Sequence, residues 1–237
     1  MDKRLWGIFI PLIIISGFLG YSFIGGDRAG LSVVYLSLAI ISMFLLVVCC
    51  LKVKKKKKWF ILLFSSVSVV NIGYTFLSIS SGLEMALWAN RVSYSGSVFL
   101  PLAMMMIILE VTNTKFKRWL PVVLSSLSVV VFLVAASPGI LDIYYKDVSF
   151  SVVGGVSVLV KEYGVLHPLY LVYLLGYFSA MIGIIIISSR KKTIATTSRA
   201  VVIAIAVFVN IGVWLIEQLT SIDFEFLSVS YIISEMF

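Results

Sequence analysis

Long apolar runs separated by short polar stretches dominate the amino-acid sequence. A helix needs about 20 apolar residues to cross the hydrocarbon core of a bilayer, which is about 30 Å thick. Several runs reach or approach this length, and we predict that each forms a membrane-spanning helix. The seven predicted spans are Leu5–Ile24, Leu31–Leu51, Trp59–Ile79, Asn90–Thr112, Trp119–Ala136, Leu166–Ser188 and Val201–Leu219.

The two ends of the chain need separate interpretation. Leu5–Ile24 follows Lys3 and Arg4, as a signal peptide would, but no clear small-residue cleavage site follows it, which favours a retained helix. Leu227–Phe237 would extend only about 16 Å as a helix, roughly half of a bilayer. It is interpreted either as the first part of an eighth helix in a longer protein, which we favour, or as a segment at the membrane interface.

One connection alternates between apolar and polar positions instead. Val148–Val153 and Val156–Lys161 both alternate, and Gly154 and Gly155 lie between them. Two alternating runs around a Gly-Gly pair predict a β-hairpin. Because an isolated hairpin is marginally stable in water, we expect it to pack on the helices. It would either cover a ligand site or simply close the end of the bundle.

Composition agrees with this pattern. Of the 237 residues, 61% are hydrophobic and 13% are charged, whereas soluble domains have about 45–50% apolar and about 25% charged residues. The sequence therefore predicts an all-α polytopic membrane protein: a bundle of seven transmembrane helices plus a partial eighth, with a short extracytoplasmic β-hairpin.

Six lysines within residues 52–58 orient the predicted spans. Positive charge beside a span stays on the cytoplasmic side. With this cluster inside, alternation places fifteen of the nineteen basic residues in inner segments and leaves only Arg28, Arg91, Lys146 and Lys161 outside. We therefore predict a multi-pass protein of the plasma membrane with a cytoplasmic amino terminus. The net charge of +8 follows from this bias and from attraction to anionic lipid, so we predict no nucleic-acid partner.

Polar side chains within or beside the spans are the candidate functional residues. Asn71 and Asn210 lie near the middle of two spans, where interhelical hydrogen bonding is the simplest role. A larger set is predicted to reach the outer membrane edge, and Arg91 and Glu217 within it could pair. Its members are Trp88, Arg91, Tyr94, His167, Tyr170 and Glu217. They form either an interfacial aromatic belt or an extracytoplasmic ligand pocket beneath the hairpin.

Catalytic and metal-binding patterns are missing from the sequence. His167 is the single histidine, so no histidine cluster can bind a metal, and there is no phosphate-binding Gly-rich loop or nucleophile–base pair. We predict no cofactor and no enzymatic activity for these residues. Cys49 and Cys50 are adjacent and imply no disulfide framework.

Several short motifs carry a resemblance to a known family. Leu87–Gly96 contains Trp88-Ala89-Asn90-Arg91, and Pro101 and Glu110 follow it at family-like spacings. The other matching pieces are Asn71-x-x-Tyr74, Ser137-Pro138 with the hairpin, Tyr163-Gly164-x-x-His167, and Asn210 within Val207–Trp214. In their order and loop lengths, these motifs resemble the seven-helix sensor region at the front of bacterial histidine kinases.

The resemblance implies an input module rather than an enzyme. Residues 31–237 would form the sensor domain, with its last helix incomplete, and residues 1–30 would add an extra helix and a short outer loop. The implied partners are the bilayer, a small-molecule or lipid signal and a cytoplasmic effector, and a homodimer is left open. The competing interpretation is a small transporter, which would need ionisable residues at mid-membrane that the sequence lacks.

Overall fold

The computed structural model of the protein describes residues 31–52 and 58–190, together with residues 209, 212 and 213. The predicted helix Leu5–Ile24, nearly all of Val201–Leu219 and the segment Leu227–Phe237 lie outside the described residues. Asn210 and Glu217 lie outside them as well.

The described residues form six helices and one hairpin. They are α1 (Leu31–Lys52), α2 (Lys58–Ser78), α3 (Leu83–Ser97), α4 (Phe99–Val111), α5 (Leu120–Ala135), β1 (Tyr145–Val153), β2 (Val156–Tyr163) and α6 (His167–Arg190). Among them, four helical stretches are long and apolar enough to cross a membrane: Ser32–Leu51, Lys58–Ser78, Leu83–Val111 and His167–Ser188. The mostly helical membrane fold with a small hairpin is therefore confirmed.

The fourth predicted span begins earlier than the sequence pattern indicated. Asn90 was the predicted start, but the helix begins at Leu83. Gly82 precedes it in an extended conformation, and Glu84 lies in the first turn, where its charge favours the helix dipole. Hydropathy places the start too late because a polar first turn still forms helical hydrogen bonds. The other described helices end within two residues of their predicted ends.

The same span is interrupted between α3 and α4. Val98 lies at the interruption and keeps helical backbone angles, with φ −69° and ψ −32°. Pro101 follows three residues later and has no backbone N–H, so the carbonyl of Ser97 loses its usual partner one turn ahead. A proline is the ordinary cause of such an interruption in a long helix.

Close backbone contact joins α2 to α3. A Cβ atom added to Gly73 would collide with Ser93, and one added to Gly96 would collide with the carbonyl of Ser66 and with Val70. Small residues allow two helix backbones to approach this closely, which compensates for the weak hydrophobic drive between helices in lipid.

The helix α4 is the centre of the largest core. Nearly every residue of α4 from Leu100 to Leu109 is buried, and its side chains pack against α5 and α6. The most completely buried members include Leu102, Met106, Ile108, Val131, Leu174 and Met181. A smaller cluster joins α1 to α2 through Ile41, Leu45, Val67 and Val70.

The predicted hairpin is present and is longer than the alternating pattern. Val153 pairs with Val156, and Gly154 and Gly155 form a two-residue turn with positive φ angles of 57° and 80°. Such a turn suits glycine because both positions are left-handed. At its open end the hairpin extends to the pair Tyr145 and Tyr163.

One face of the hairpin lies on the ends of α2 and α3. Leu159 is buried against Leu87 and Ala86, with Phe150 packed beside them. The hydroxyl of Ser157 also donates a hydrogen bond of 2.6 Å to the carbonyl of Ser80, just beyond α2. The hairpin is therefore fixed to the helix bundle, as an otherwise marginal two-stranded sheet requires.

Candidate functional site: a tyrosine cluster at the base of the hairpin

Six aromatic residues meet where α3, the open end of the hairpin and the start of α6 come together. We call them the tyrosine cluster: Tyr94, Tyr144, Tyr145, Tyr163, His167 and Tyr170. The chain is tied together here by two backbone hydrogen bonds, from Gly164 N–H to Tyr144 and from Leu166 N–H to Ile143, both 2.9 Å. A Cβ on Gly164 would collide with the Ile143 carbonyl, so this crossing requires a glycine.

Three phenol groups form the centre of the cluster. The Tyr144 hydroxyl donates to Tyr94 Oη at 3.1 Å, and the hydroxyls of Tyr94 and Tyr145 lie 3.0 Å apart. Tyr144 and Tyr145 are almost completely buried. Burial, together with the neighbouring Tyr145, raises the pKa of the Tyr144 hydroxyl far above its usual value, so this group stays neutral. The three hydroxyls therefore form one buried polar network.

Ring contacts extend this network in two directions. Tyr94 packs edge-on against both Tyr144 and Tyr170, with ring centroids 5.6 Å apart in each pair. Offset and edge-on arrangements are the favoured geometries for aromatic pairs. Towards the surface, His167 stacks on Tyr163 at 3.8 Å, and Tyr163 is 62% exposed. The cluster thus runs from exposed Tyr163, through half-buried His167, to buried hydroxyls.

The other predicted pair, Trp88 and Arg91, contacts a different part of the molecule. Arg91 Nε donates to the carbonyl of Ala136 at 3.1 Å, and its Nη2 donates to the carbonyl of Pro138 at 2.8 Å. The same guanidinium lies 4.7 Å from the ring centre of Trp88, which is 59% exposed. A cation beside the last carbonyls of α5 also suits the helix dipole. Arg91 therefore caps α5 and holds the segment that leads to the hairpin.

Two further tyrosines continue the aromatic contacts along α6. Tyr173 stacks near Tyr170 with ring centroids 6.3 Å apart, and Tyr177 lies 4.7 Å from Tyr173. The Tyr173 hydroxyl donates to the carbonyl of Val98 at 2.7 Å and lies 2.8 Å from Ser128 Oγ. The hydroxyl of Ser128 also donates to the carbonyl of Leu124 in its own helix at 2.9 Å, so Ser128 Oγ is a second polar neighbour of the Tyr173 hydroxyl.

Asn71 is completely buried in α2. Its side-chain amide donates to the carbonyl of Val67 in the same helix at 3.0 Å, where the sequence suggested a bond between helices. Within residues 31–52 and 58–190, no partner is found for Asn71 Oδ1, Asn90 Nδ2 or Ser93 Oγ. The interhelical role expected for Asn210 and the pairing of Arg91 with Glu217 both involve residues outside the described part of the chain.

The six residues predicted as ligand contacts are thus divided by the structure. Tyr94, His167 and Tyr170 come together, Trp88 and Arg91 form the α5 cap, and Glu217 is outside the described residues. Sequence reasoning missed Tyr144 and Tyr145, although two adjacent aromatic residues just before the alternating run were a usable signal. In the described part of the chain, no group of three or more His, Cys, Asp or Glu side chains is arranged to hold a metal ion.

Apolar helices that can span a membrane, with a hairpin fixed over one end of the bundle, define a multi-pass membrane protein. The chain belongs to the family described as the N-terminal 7TM region of histidine kinase, whose model matches residues 34–237. This match confirms the resemblance and gives a sensor input region in signal transduction, which is not itself the catalytic part of a kinase. Neither the curated proteins nor the solved structures gave a significant match.

Proposed function

We propose that the chain detects a signal at its extracytoplasmic face and passes it, as a change in helix packing, to a cytoplasmic effector. The signal would be a small molecule, a lipid or a condition of the cell envelope. The proposed module has seven spans and a cytoplasmic amino terminus. Its orientation is supported by the end of α1 and the start of α2, which lie opposite the hairpin and are joined in sequence by the lysines of residues 52–58.

The observation that carries this proposal is the position of the tyrosine cluster. The hairpin contributes Tyr145 and Tyr163, α3 contributes Tyr94, and α6 contributes His167 and Tyr170. A displacement of the hairpin would therefore change contacts to two membrane-spanning helices at once. We infer that a ligand acts first on the stacked pair of exposed Tyr163 and half-buried His167.

The proposed mechanism is a shift between two helix packings. A ligand moves such an equilibrium only by as much as it prefers one state. Here the ligand would prefer one packing through its contacts with Tyr163 and His167. Tyr94 and Tyr170 would link that aromatic pair to α3 and α6. Trp88 and Arg91 would keep the neighbouring segment after α5 in place, and Glu217 remains a proposed contact.

The experiment compares alleles at the native locus of the source cells. Cells with wild-type, Tyr163→Ala or deletion alleles are exposed to a panel of small molecules, lipids and envelope stresses, and their transcripts are measured. Some stimulus should produce a response that both the deletion and Tyr163→Ala abolish. Lys146→Ala is the matched control, because Lys146 lies on the same hairpin and forms only an exposed ion pair with Glu162.

Identical responses of wild-type and deletion cells to the whole panel would contradict the proposal. So would solute uptake into vesicles that depends on this chain, since that is the activity of a transporter. Immunoblotting of the membrane fraction confirms that each variant is inserted to the same level.

A further inference from the structure

The interruption at Val98 divides a stretch of helix that otherwise runs from Leu83 to Val111. The missing N–H of Pro101 removes one hydrogen bond from the helix, which weakens its resistance to bending at this point. Unsatisfied backbone groups are costly inside a bilayer, so neighbouring side chains commonly contact the backbone at such places.

The Tyr173 hydroxyl contacts the backbone at this point, at Val98, the residue that follows Ser97. It donates to the carbonyl of Val98 at 2.7 Å, and both residues are buried. Ser128 of α5 lies 2.8 Å from the same hydroxyl. One oxygen atom on α6 therefore connects α5 to the point where α3 ends and α4 begins.

A second set of contacts joins the same point to the tyrosine cluster. The Val98 N–H donates to the carbonyl of Tyr94 at 3.1 Å. The Tyr94 ring packs on Tyr170, and Tyr170 stacks near Tyr173 one turn further along α6. These contacts connect α3 to α6 at two places, the Tyr94–Tyr170 ring contact and the Tyr173–Val98 hydrogen bond. A shift of α6 relative to α3 would therefore change the hydrogen bond at Val98.

We propose that the Tyr173 hydroxyl is a latch that sets the angle between α3 and α4. While it is bonded to Val98, the bundle stays in one packing, and when α6 moves with the tyrosine cluster the bond breaks and α4 changes its tilt relative to α3. This inference rests on the proposed sensor function for its biological meaning, but the latch itself is a property of the unliganded chain.

The test measures a distance across the interruption by double electron–electron resonance in the full chain in lipid nanodiscs. Spin labels are attached at Ser81→Cys, just before α3, and at Glu110→Cys, near the end of α4. Both positions are exposed. The native cysteines are replaced by Cys49→Ala and Cys50→Ser.

Tyr173→Phe removes the latch hydroxyl and keeps the ring. We expect the parent to give one dominant distance and Tyr173→Phe to give a second, with the ratio of the two states shifted about threefold, as a typical side-chain hydrogen bond in a bilayer would allow. The matched control is Ser42→Ala, because the buried Ser42 hydroxyl donates within its own helix α1, to the carbonyl of Ala39 at 3.0 Å. This control should match the parent.

Equal distance distributions for Tyr173→Phe and the parent would overturn the latch. Equal broadening in Tyr173→Phe and Ser42→Ala would also overturn it, because general loosening of the bundle then explains the result. If Tyr173→Phe fails to insert, Ser128→Ala is measured in its place, with the same shift expected to be smaller and an unchanged distribution counting against the latch.

A proline variant tests whether the interruption is the moving part. Pro101→Ala restores a backbone N–H as a partner for the Ser97 carbonyl and should stiffen the helix at this point, so adding Tyr173→Phe to Pro101→Ala should cause no further change. A persistent effect of Tyr173→Phe in that background would place its action elsewhere and overturn the latch. Because no ligand or effector is needed, a distance shift without any signalling response would reject the sensor proposal alone.

Discussion

The Arg91 side chain joins α3 to the segment between α5 and the hairpin. Its two hydrogen bonds to the carbonyls of Ala136 and Pro138 satisfy groups at a helix end that have no partner within the helix. Arginine suits this place because its planar guanidinium offers several donors and remains charged. At the scale of single residues, the most polar predicted ligand contact therefore also has a structural role.

Removing this cap should destabilise the protein. Arg91→Ala is expected to lower the free energy of unfolding by roughly 1–3 kcal/mol, because hydrogen bonds to charged groups contribute about this much. Unfolding in detergent, followed by circular dichroism, measures the change. Lys146→Ala removes only an exposed ion pair and should leave stability unchanged. A loss of equal size in both variants would contradict the assignment of Arg91 as a cap.

Tyr144 gives a prediction about pH. Its pKa is raised by burial, whereas in the unfolded chain it would be near a tyrosine's usual value of about 10. The neutral hydroxyl thus stabilises the folded state fully below pH 10, and this contribution is lost as the pH rises above that value. We expect stability to fall above about pH 10, and less steeply in Tyr144→Phe. Parallel pH profiles for the two proteins would exclude this role for Tyr144.

At the scale of secondary-structure elements, α2 and α3 are the most closely packed pair. Gly73 faces Ser93 and Gly96 faces Ser66 without room for a methyl group. In lipid such contact replaces the hydrophobic effect as the source of helix association. The hairpin then packs across the ends of the same two helices, so their spacing also positions the tyrosine cluster.

Gly96→Ala should separate these helices. We expect a loss of about 1–3 kcal/mol in the free energy of unfolding, the usual cost of forcing an extra methyl group into a packed site. Gly183→Ala is the matched control, since Gly183 lies on α6 and a Cβ there meets nothing within 4 Å. Thermal unfolding in nanodiscs compares them. Similar stability of the two variants would mean that α2 and α3 can separate at little cost.

At the scale of the whole molecule, the hairpin and the tyrosine cluster lie at one end of the bundle. The last residues of α1, α4 and α6 lie towards the other end, where Lys52 and Arg190 end their helices and Lys115 follows α4 in sequence. A protein with this distribution of charge is expected to insert with the basic end in the cytoplasm. The proposed sensor function needs such a separation, because its signal and its effector would act on opposite sides.

Cysteine labelling tests this orientation. In a background without Cys49 and Cys50, Glu162→Cys should react with a membrane-impermeant maleimide in intact cells, because this exposed residue lies on the hairpin. Lys115→Cys, exposed in the loop after α4, should react only after the membrane is permeabilised. The opposite pattern would reverse the proposed topology.

The sequence by itself determined the membrane class, the ends of most described helices and the hairpin. Each follows from a local cause: a long apolar run, the alternation around Gly154-Gly155, or the charge of a loop. It also indicated Tyr94, His167 and Tyr170 as neighbours, since their predicted membrane depths agree.

Only the tertiary structure decided what these residues contact. Three contacts join residues more than 40 positions apart in the sequence. They are the hydrogen bonds of Tyr144 with Tyr94, of Arg91 with the Ala136 carbonyl and of Tyr173 with the Val98 carbonyl. A backbone carbonyl carries no sequence signature as an acceptor. The side of a membrane helix that faces other helices is about as apolar as the side that faces lipid, so the sequence does not distinguish the two. For this reason the positions of the spans could be predicted, whereas the connections between them could not.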